Sequence, residues 1–537
     1  MKLNYQGLQV RDDWEKAGVR LPRYDWKRMA EKTEAAPVWV HFGAGNIFRG
    51  FIAGLQQRLL DEGLAESGII AAETFDYDII DKIYDPHDSM TLMVTLLPDG
   101  STKKEVIASI AKGIRANAAD TAQWAALKAV FENPSLQMAS FTITEKGYAL
   151  RNMKGELLPV AAADMKDGPE KARHAMSVVA AMMYARYQAG AAPLALVSMD
   201  NCSHNGEKLR GSVLTVAKAW AENGLVPAAF VDYLSDEARV SFPWSMIDKI
   251  TPRPAEVIEK QLTAEGMEDM QPVITSRNTY IAPFVNAEGP QYLVVEDRFP
   301  NGRPALEKAG VYMTDRETVN MTERMKVTTC LNPLHTALAV YGCLLGYTSI
   351  AAEMNDPELV ALVKRIGYVE GLPVVTDPKI LSPKAFIDEV VTQRLPNPFI
   401  PDTPQRIATD TSQKVPIRFG ETIKSYMADP ARDASGLTAI PLALAGWLRY
   451  LLAVDDQGAP MAVSSDPMLA SLQAELSGVT LGQPESVKGK LTGILTNQTL
   501  FGVNLMDAGL ADKVEALVAE ELAGPGAVRA TLKKYLA

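Results

Sequence analysis

Thirteen consecutive residues, Glu323-Arg324-Met325-Lys326-Val327-Thr328-Thr329-Cys330-Leu331-Asn332-Pro333-Leu334-His335, hold the side chains best suited to chemistry. Asn332 and His335 are three apart and can share one helical face. Pro333 disfavours helical geometry in the residue before it and suits a first helical position. This predicts a helix starting at Pro333, with Asn332 near its cap and Lys326 on a separate preceding turn. Such a set suits the removal of a proton from an alcohol while hydride leaves carbon. Lysine acts as the base there only if its pKa falls from about 10.4 toward ~7–8. Asn332, and Asn201 elsewhere in the chain, could donate amide N–H bonds to the developing alkoxide. Glu323, three residues before Lys326, is close enough on a helical turn to relay its proton. Taken singly, each residue also reads as a surface lysine, a capping asparagine or a satisfied core histidine.

A second group sits near the N-terminus. Gly43-Ala44-Gly45-Asn46 lies between the apolar run Val38–Phe42 and a helix-patterned stretch. Glycine permits a tight turn there and lets backbone approach a pyrophosphate resting on the helix N-terminus. Phe48 stands where the full dinucleotide fingerprint has its third glycine, so a plain tight turn stays open as an alternative. A following strand ends in Glu73, with Asp76 just beyond. Carboxylates there would accept ribose hydroxyls and repel a 2′-phosphate, which favours NAD over NADP; a solvated acidic loop is the plainer reading. Two further strands end in Thr142-Ile143-Thr144-Glu145 and Ser198-Met199-Asp200-Asn201. Ligands of open parallel sheets bind beyond such strand ends, although helix capping by Asn201, Ser203 or Asn205 fits as well. An oxidised nicotinamide near Lys326, together with partial burial, would lower the lysine pKa.

The elements that must position these residues follow from periodicity. Gly68–Glu73, Leu136–Thr144 and Pro193–Met199 read as strands, with helices over Lys171–Tyr187 and Glu207–Asn223. That alternation predicts an α/β fold with a parallel, doubly wound sheet. Within residues 270–313, TYIAPFVN and QYLVVEDRF read as a pair of strands that could extend the sheet. From about Thr318 onward the pattern is almost wholly helical. The expected domains are therefore 1–315, a Rossmann-type unit with an N-terminal extension and extra strands, and 316–537, a mainly helical unit.

Composition narrows the partners. With 54 Lys and Arg against 65 Asp and Glu, the net charge is −11. An acidic chain without basic runs is poorly suited to nucleic acid, and an anionic substrate would need a local basic pocket. Three cysteines without CxxC pairing support neither a disulfide framework nor a structural zinc site. The five histidines are scattered, so no metal is expected. No signal peptide or membrane span is read, which leaves the cytoplasm as the expected location. Oligomeric state stays open.

The segments HFGAGNIFRGF, TITEKGY, SMDNCSHNG, FPWSMIDKITPRP, VVEDRF, ERMKVTTCLNPLHT and RIATDTSQK, in this order, resemble the long-chain polyol-specific dehydrogenases, also called the mannitol dehydrogenase family. The likeness runs from about Leu21 over nearly the whole chain. It implies a Rossmann-type N-terminal domain, a mainly helical C-terminal domain, a site between them, and NAD as cofactor. It implies Lys326 as catalytic base, Asn201 and Asn332 as an oxyanion hole, and Glu323 on the proton path. His335, Arg406, Lys414 and Asn201 would bind substrate. Gly43, Gly45, Asn46, Phe48, Glu73, Asp76, Thr144, Glu145, Asn201, Ile247 and Asp248 would meet the cofactor. The sequence departs from the family in two ways. Lysine and asparagine are usually five positions apart, whereas Lys326 and Asn332 are six apart, which a break at Asn332 could absorb. Pro333-Leu334 also replaces the usual small pair before histidine. The branch that reduces keto-hexuronates is the most similar, so the implied substrate is D-fructuronate. Tagaturonate and a neutral polyol are the alternatives, and a nicotinamide-binding protein without turnover is a third.

Overall fold

The computed structural model describes residues 1–536. Contacts divide the chain into two units, Met1–Leu97 with Ser101–Asn320, and Pro98–Gly100 with Met321–Ala537.

In the first unit, six short strands form one all-parallel sheet: β1 (Trp39–Phe42), β2 (Ile69–Glu73), β3 (Ile110–Arg115), β4 (Met138–Phe141), β5 (Leu194–Ser198) and β6 (Val240–Ser241). Their order is β3-β2-β1-β4-β5-β6. The order reverses between β1 and β4, the switch point beyond which open α/β sheets bind ligands. β1 is buried along its length, as a strand covered on both faces must be. Val40 and Phe42 enter one core, with Leu127, Val178 and Val213. Trp39 enters the other, with Phe48, Phe51 and Leu55. The covering helices include α1 (Ala53–Asp61), α2 (Thr121–Glu132), α3 (Ala175–Gln188) and α4 (Asn205–Glu222).

The expected extension of this sheet is corrected. Phe284–Glu288 pairs in parallel with Thr91–Leu96, in a separate four-stranded sheet that also holds Val19–Arg20 of the N-terminal segment. Tyr292–Glu296 pairs antiparallel with Ser245–Asp248 in a three-stranded sheet. Both segments are strands, but their partners are strands distant in sequence, which local periodicity does not name.

The second unit is helical. After α5 (Arg316–Met325) come a π turn over Lys326–Cys330 and α6 (Asn332–Leu344). α6 is apolar almost all round, as befits a helix enclosed by others. It packs on α8 (Ala439–Tyr450), which packs on α9 (Ala511–Glu521); α7 (Thr411–Val415) lies between α6 and α8 in sequence. The Tyr341 hydroxyl bonds the Leu442 carbonyl (2.6 Å) and Glu521 (2.7 Å), joining three helices at one buried point. Among the described residues no helix is long and apolar enough to cross a membrane.

Candidate functional site

The glycine turn follows β1 directly. Gly43 has φ +103°, and a Cβ there would stand 2.2 Å from the Thr142 carbonyl oxygen, so the position demands glycine. Gly45 is different. A Cβ there meets nothing within 4 Å, and its carbonyl accepts from Arg49 N–H (3.1 Å) at the start of the helix. The Asn46 amide oxygen accepts from the buried Arg49 guanidinium (2.9 Å), which also donates to the Ala282 carbonyl (2.9 Å).

Two expected cofactor contacts take other roles. The Phe48 ring is fully buried and stacks on His41 with centroids 4.0 Å apart, so it is core packing and its side chain is out of reach of a ligand. Glu73 is buried and turned inward. Its Oε2 accepts from Ala44 N–H (2.8 Å), and its Oε1 from Phe75 N–H (2.8 Å) and Asp76 N–H (3.2 Å). Burial raises its pKa against the pull of these three donors. Glu73 thus shapes the glycine turn. Asp76 accepts from the Thr275 hydroxyl through Oδ2 (2.6 Å), while its buried Oδ1 has no protein partner.

Beyond β4 and β5, Asp200 ties the strand ends together. It accepts from Ile143 N–H and Thr144 N–H (2.9 Å each) and from the Tyr148 hydroxyl (2.6 Å). These bonds hold Thr144 at φ +64°, a conformation a β-branched residue rarely adopts. Asn205 cross-links the same region, donating to the Asp200 and Ser245 carbonyls (3.0 Å each) and accepting from Ser245 N–H (3.0 Å). Both stand in the polar strand ends that the sequence marks as placed for ligands, but neither was singled out as a site residue. Their short polar side chains at strand ends were the available signal. Asn201 is exposed on this rim, Glu145 pairs with Lys208, and Ile247 and Asp248 are buried at the end of their strand.

In the second unit, Lys326 is 2% exposed and opens the π turn. Leu331 N–H bonds back five residues to the Lys326 carbonyl (3.1 Å). A π turn takes in one residue more than an α turn without ending the rod. The rod is nevertheless interrupted at Leu331 (φ −127°, ψ −60°), so a π turn and then a break directly ahead of Asn332 lie between Lys326 and Asn332, where the sequence places its additional residue. The Thr422 hydroxyl donates to the Thr328 carbonyl (3.3 Å), and the Thr328 hydroxyl donates to the Arg324 carbonyl (2.8 Å), satisfying backbone along the turn. Asn332 begins α6 half-buried, and Glu323 lies half-buried on α5.

His335 stands one turn into α6 with its Nε2 3.4 Å from Asp402. Burial lowers its pKa, Asp402 raises it, and Arg418, Arg406 and Arg394 lower it further. Arg406 pairs with Asp402 and is mostly exposed. Lys414 donates to the Ile407 carbonyl (2.8 Å). Its pKa is pushed down to about 8, chiefly by burial and then by Arg418, with Asp410 opposing. His335, Arg406 and Lys414, read from separate stretches of sequence, thus belong to one cluster. Arg394 and Arg418 belong to it too and were missed, because no motif in the sequence singles them out; they sit in the π turns Val390–Arg394 and Pro416–Gly420.

Residues 38–308 match the mannitol dehydrogenase Rossmann domain and residues 318–520 the mannitol dehydrogenase C-terminal domain. The chain is 52% identical over 538 residues to the D-mannonate oxidoreductase of Thermotoga maritima, covering 100% of this chain and 99% of that protein. It is 30% identical to the mannitol 2-dehydrogenase of Phaeosphaeria nodorum, over 92% of this chain and 81% of the other. Among solved structures, the Pseudomonas fluorescens mannitol 2-dehydrogenase in ternary complex with NAD and D-mannitol has a TM-score of 0.68 at 27% identity, covering 99% of each chain. A D-sorbitol dehydrogenase in substrate-free form has a TM-score of 0.77 at 25% identity, covering 96% of this chain and 100% of that one. With both domains matched and a full-length relative at 52% identity, the chain belongs to the mannitol dehydrogenase family of oxidoreductases.

Proposed function

We propose that this enzyme reversibly reduces D-fructuronate to D-mannonate with NADH, and that Lys326 is its general acid and base. The observation that carries the choice of a sugar acid is the cationic cluster around His335. Arg394, Arg406 and Arg418 all act on that ring, and Arg406 and Arg418 act on Lys414, in a chain whose net charge is −11. A neutral polyol needs no such cluster; a carboxylate does. The relative named D-mannonate oxidoreductase supports the same substrate.

The residues present fit NAD. Gly43, Gly45 and Asn46 form a phosphate-binding turn at the switch point, and Gly45 leaves the space that a pyrophosphate needs. Asp76, Thr144, Glu145, Ile247 and Asp248 are the further candidates for holding the cofactor, and Glu73 braces the turn. When bound, NADH supplies the hydride that the carbonyl carbon accepts.

In the reductive direction Lys326 gives a proton to the keto oxygen, and in the oxidative direction it takes the proton back. Asn332 and Asn201 donate amide N–H bonds to that oxygen as its charge develops. Glu323 stands three residues from Lys326 and returns its proton from solvent. His335, held near Asp402, orients a substrate hydroxyl together with Arg406 and Lys414. The free thiols of Cys202, Cys330 and Cys343 are consistent with a reducing compartment, and we place the enzyme in the cytoplasm.

The test is NADH oxidation with D-fructuronate, tagaturonate, D-fructose and xylulose, in wild type and Lys326→Ala. The expected result is the highest kcat/KM for D-fructuronate and a fall in kcat of about 100-fold or more in the variant. A preference for D-fructose would move the enzyme to neutral ketoses. Full activity in Lys326→Ala would transfer the acid–base role to Lys414, the other lysine of the cluster.

A further inference from the structure

The cations around His335 are not equivalent. Arg406 is neutralised by Asp402, which also faces His335. Lys414 is held by the Ile407 carbonyl and feels both Asp410 and Asp466. Arg418 has no such acid. Its Nη1 donates to the Thr336 hydroxyl (2.6 Å), and among the described residues no carboxylate lies within ion-pair distance of its guanidinium. The group is half-buried, and burial alone pushes its pKa down to about 10. A guanidinium drawn partly out of water without an acid beside it gains from an anion that completes it.

Two features fix where that anion would lie. Thr336 follows His335 on α6, and its hydroxyl, which accepts from Arg418, donates to the Asn332 carbonyl (2.9 Å). One hydroxyl therefore links the guanidinium to the backbone of the residue assigned to hold the reacting oxygen. The second feature is rigidity. Arg418 sits in the π turn Pro416–Gly420, where Gly420 approaches the Phe501 carbonyl so closely that a Cβ would stand 2.1 Å from it. The turn cannot drift from its neighbour, so the guanidinium is held ready for its partner.

We propose that Arg418 is the anchor for the substrate carboxylate, and that it, in place of the already neutralised Arg406, sets the preference for a sugar acid over an uncharged ketose. The proposal rests on the keto-hexuronate reading above and assigns the group that enforces it. Arg418 presents a planar fork to two carboxylate oxygens, which lysine cannot imitate. The Asp402 pair leaves Arg406 as a contact to hydroxyls.

The test compares wild type, Arg418→Gln, Arg418→Lys and Arg406→Gln, each as the full chain. The quantity read is the ratio of kcat/KM for D-fructuronate to that for D-fructose, at low and high salt. Arg418→Gln is expected to lower the ratio about 10- to 100-fold, chiefly through KM for the acid, and to weaken the salt dependence of that KM. Arg418→Lys recovers part of the ratio, and Arg406→Gln lowers it less. If Arg418→Gln does not fold, Arg418→Lys keeps the charge without the fork and must still lower the ratio. An unchanged ratio in the folded Arg418 variants overturns the proposal, whether both activities fall together or neither falls. A wild type that does not prefer the acid overturns the keto-hexuronate reading itself. A wild-type preference retained in Arg418→Gln overturns only the anchor.

Discussion

At the scale of single residues, the two glycines of the nucleotide turn have separable roles. Gly43 is required by the fold, since its φ of +103° and the nearby Thr142 carbonyl exclude a side chain. Gly43→Ala is expected to cost about 2–4 kcal/mol, read as a lower urea midpoint. Gly45 faces open space, so Gly45→Ala should change stability by less than about 1 kcal/mol. If the proposed pyrophosphate site lies at this turn, the added methyl crowds it, and KM for NADH should rise about tenfold. Equal loss of stability in both variants would mean that Gly45 serves the fold alone. Much of this end was legible in the sequence, because strand, glycine turn and helix follow directly from composition and period. The inward turn of Glu73 was not. A carboxylate at a strand end reads as a ligand group until its three backbone donors are seen.

At the scale of elements, the π turns decide where three of the basic side chains stand. Lys326, Arg394 and Arg418 each lie in one. A π turn uses the same residue types as an α turn, so neither propensity nor hydrophobic period reveals it. The unusual spacing from Lys326 to Asn332 was its one visible trace. Sheet partnership was hidden for a related reason. Tyr292–Glu296 reads as a strand, but its pairing with Ser245–Asp248 depends on residues far away in sequence. The turn holding Arg418 can be tested through its packing. Gly420→Ala forces a methyl against the Phe501 backbone, and its neighbour is not the flexible end of a side chain. The expected loss is about 1–3 kcal/mol in the urea unfolding of the helical unit. KM for the keto acid should rise with it as the guanidinium shifts. A variant with unaltered stability and unaltered KM would mean that the turn relaxes without moving Arg418.

At the scale of the whole molecule, stability depends on buried acids that fold in their neutral form. Glu353 is fully buried, and its carboxyl fills the notch left by Gly342 on α6, with no hydrogen-bond partner at either oxygen. Burial, and then Asp356, push its pKa up to about 9. Glu521 is buried at the junction of α6, α8 and α9, and burial pushes it up to about 8 against the Tyr341 hydrogen bond and Arg449. In the unfolded chain both titrate near about 4.3. Between that pH and 8–9 the folded state therefore holds more protons than the unfolded state, so stability falls as pH rises through this window. Below about 4.3 both states are protonated and the two groups contribute no slope. Glu353→Gln removes one of these protons while keeping the shape. Its advantage over wild type should grow by about 2–4 kcal/mol between pH 6 and pH 9, since each pH unit inside the window contributes at most ~1.4 kcal/mol. Urea midpoints of both proteins at the two pH values measure this growth. The comparison depends on the slope alone, so any fixed cost of burying an amide in place of a carboxylic acid cancels. Parallel pH profiles for the two proteins would mean that Glu353 is ionised in the folded state and finds its compensation elsewhere.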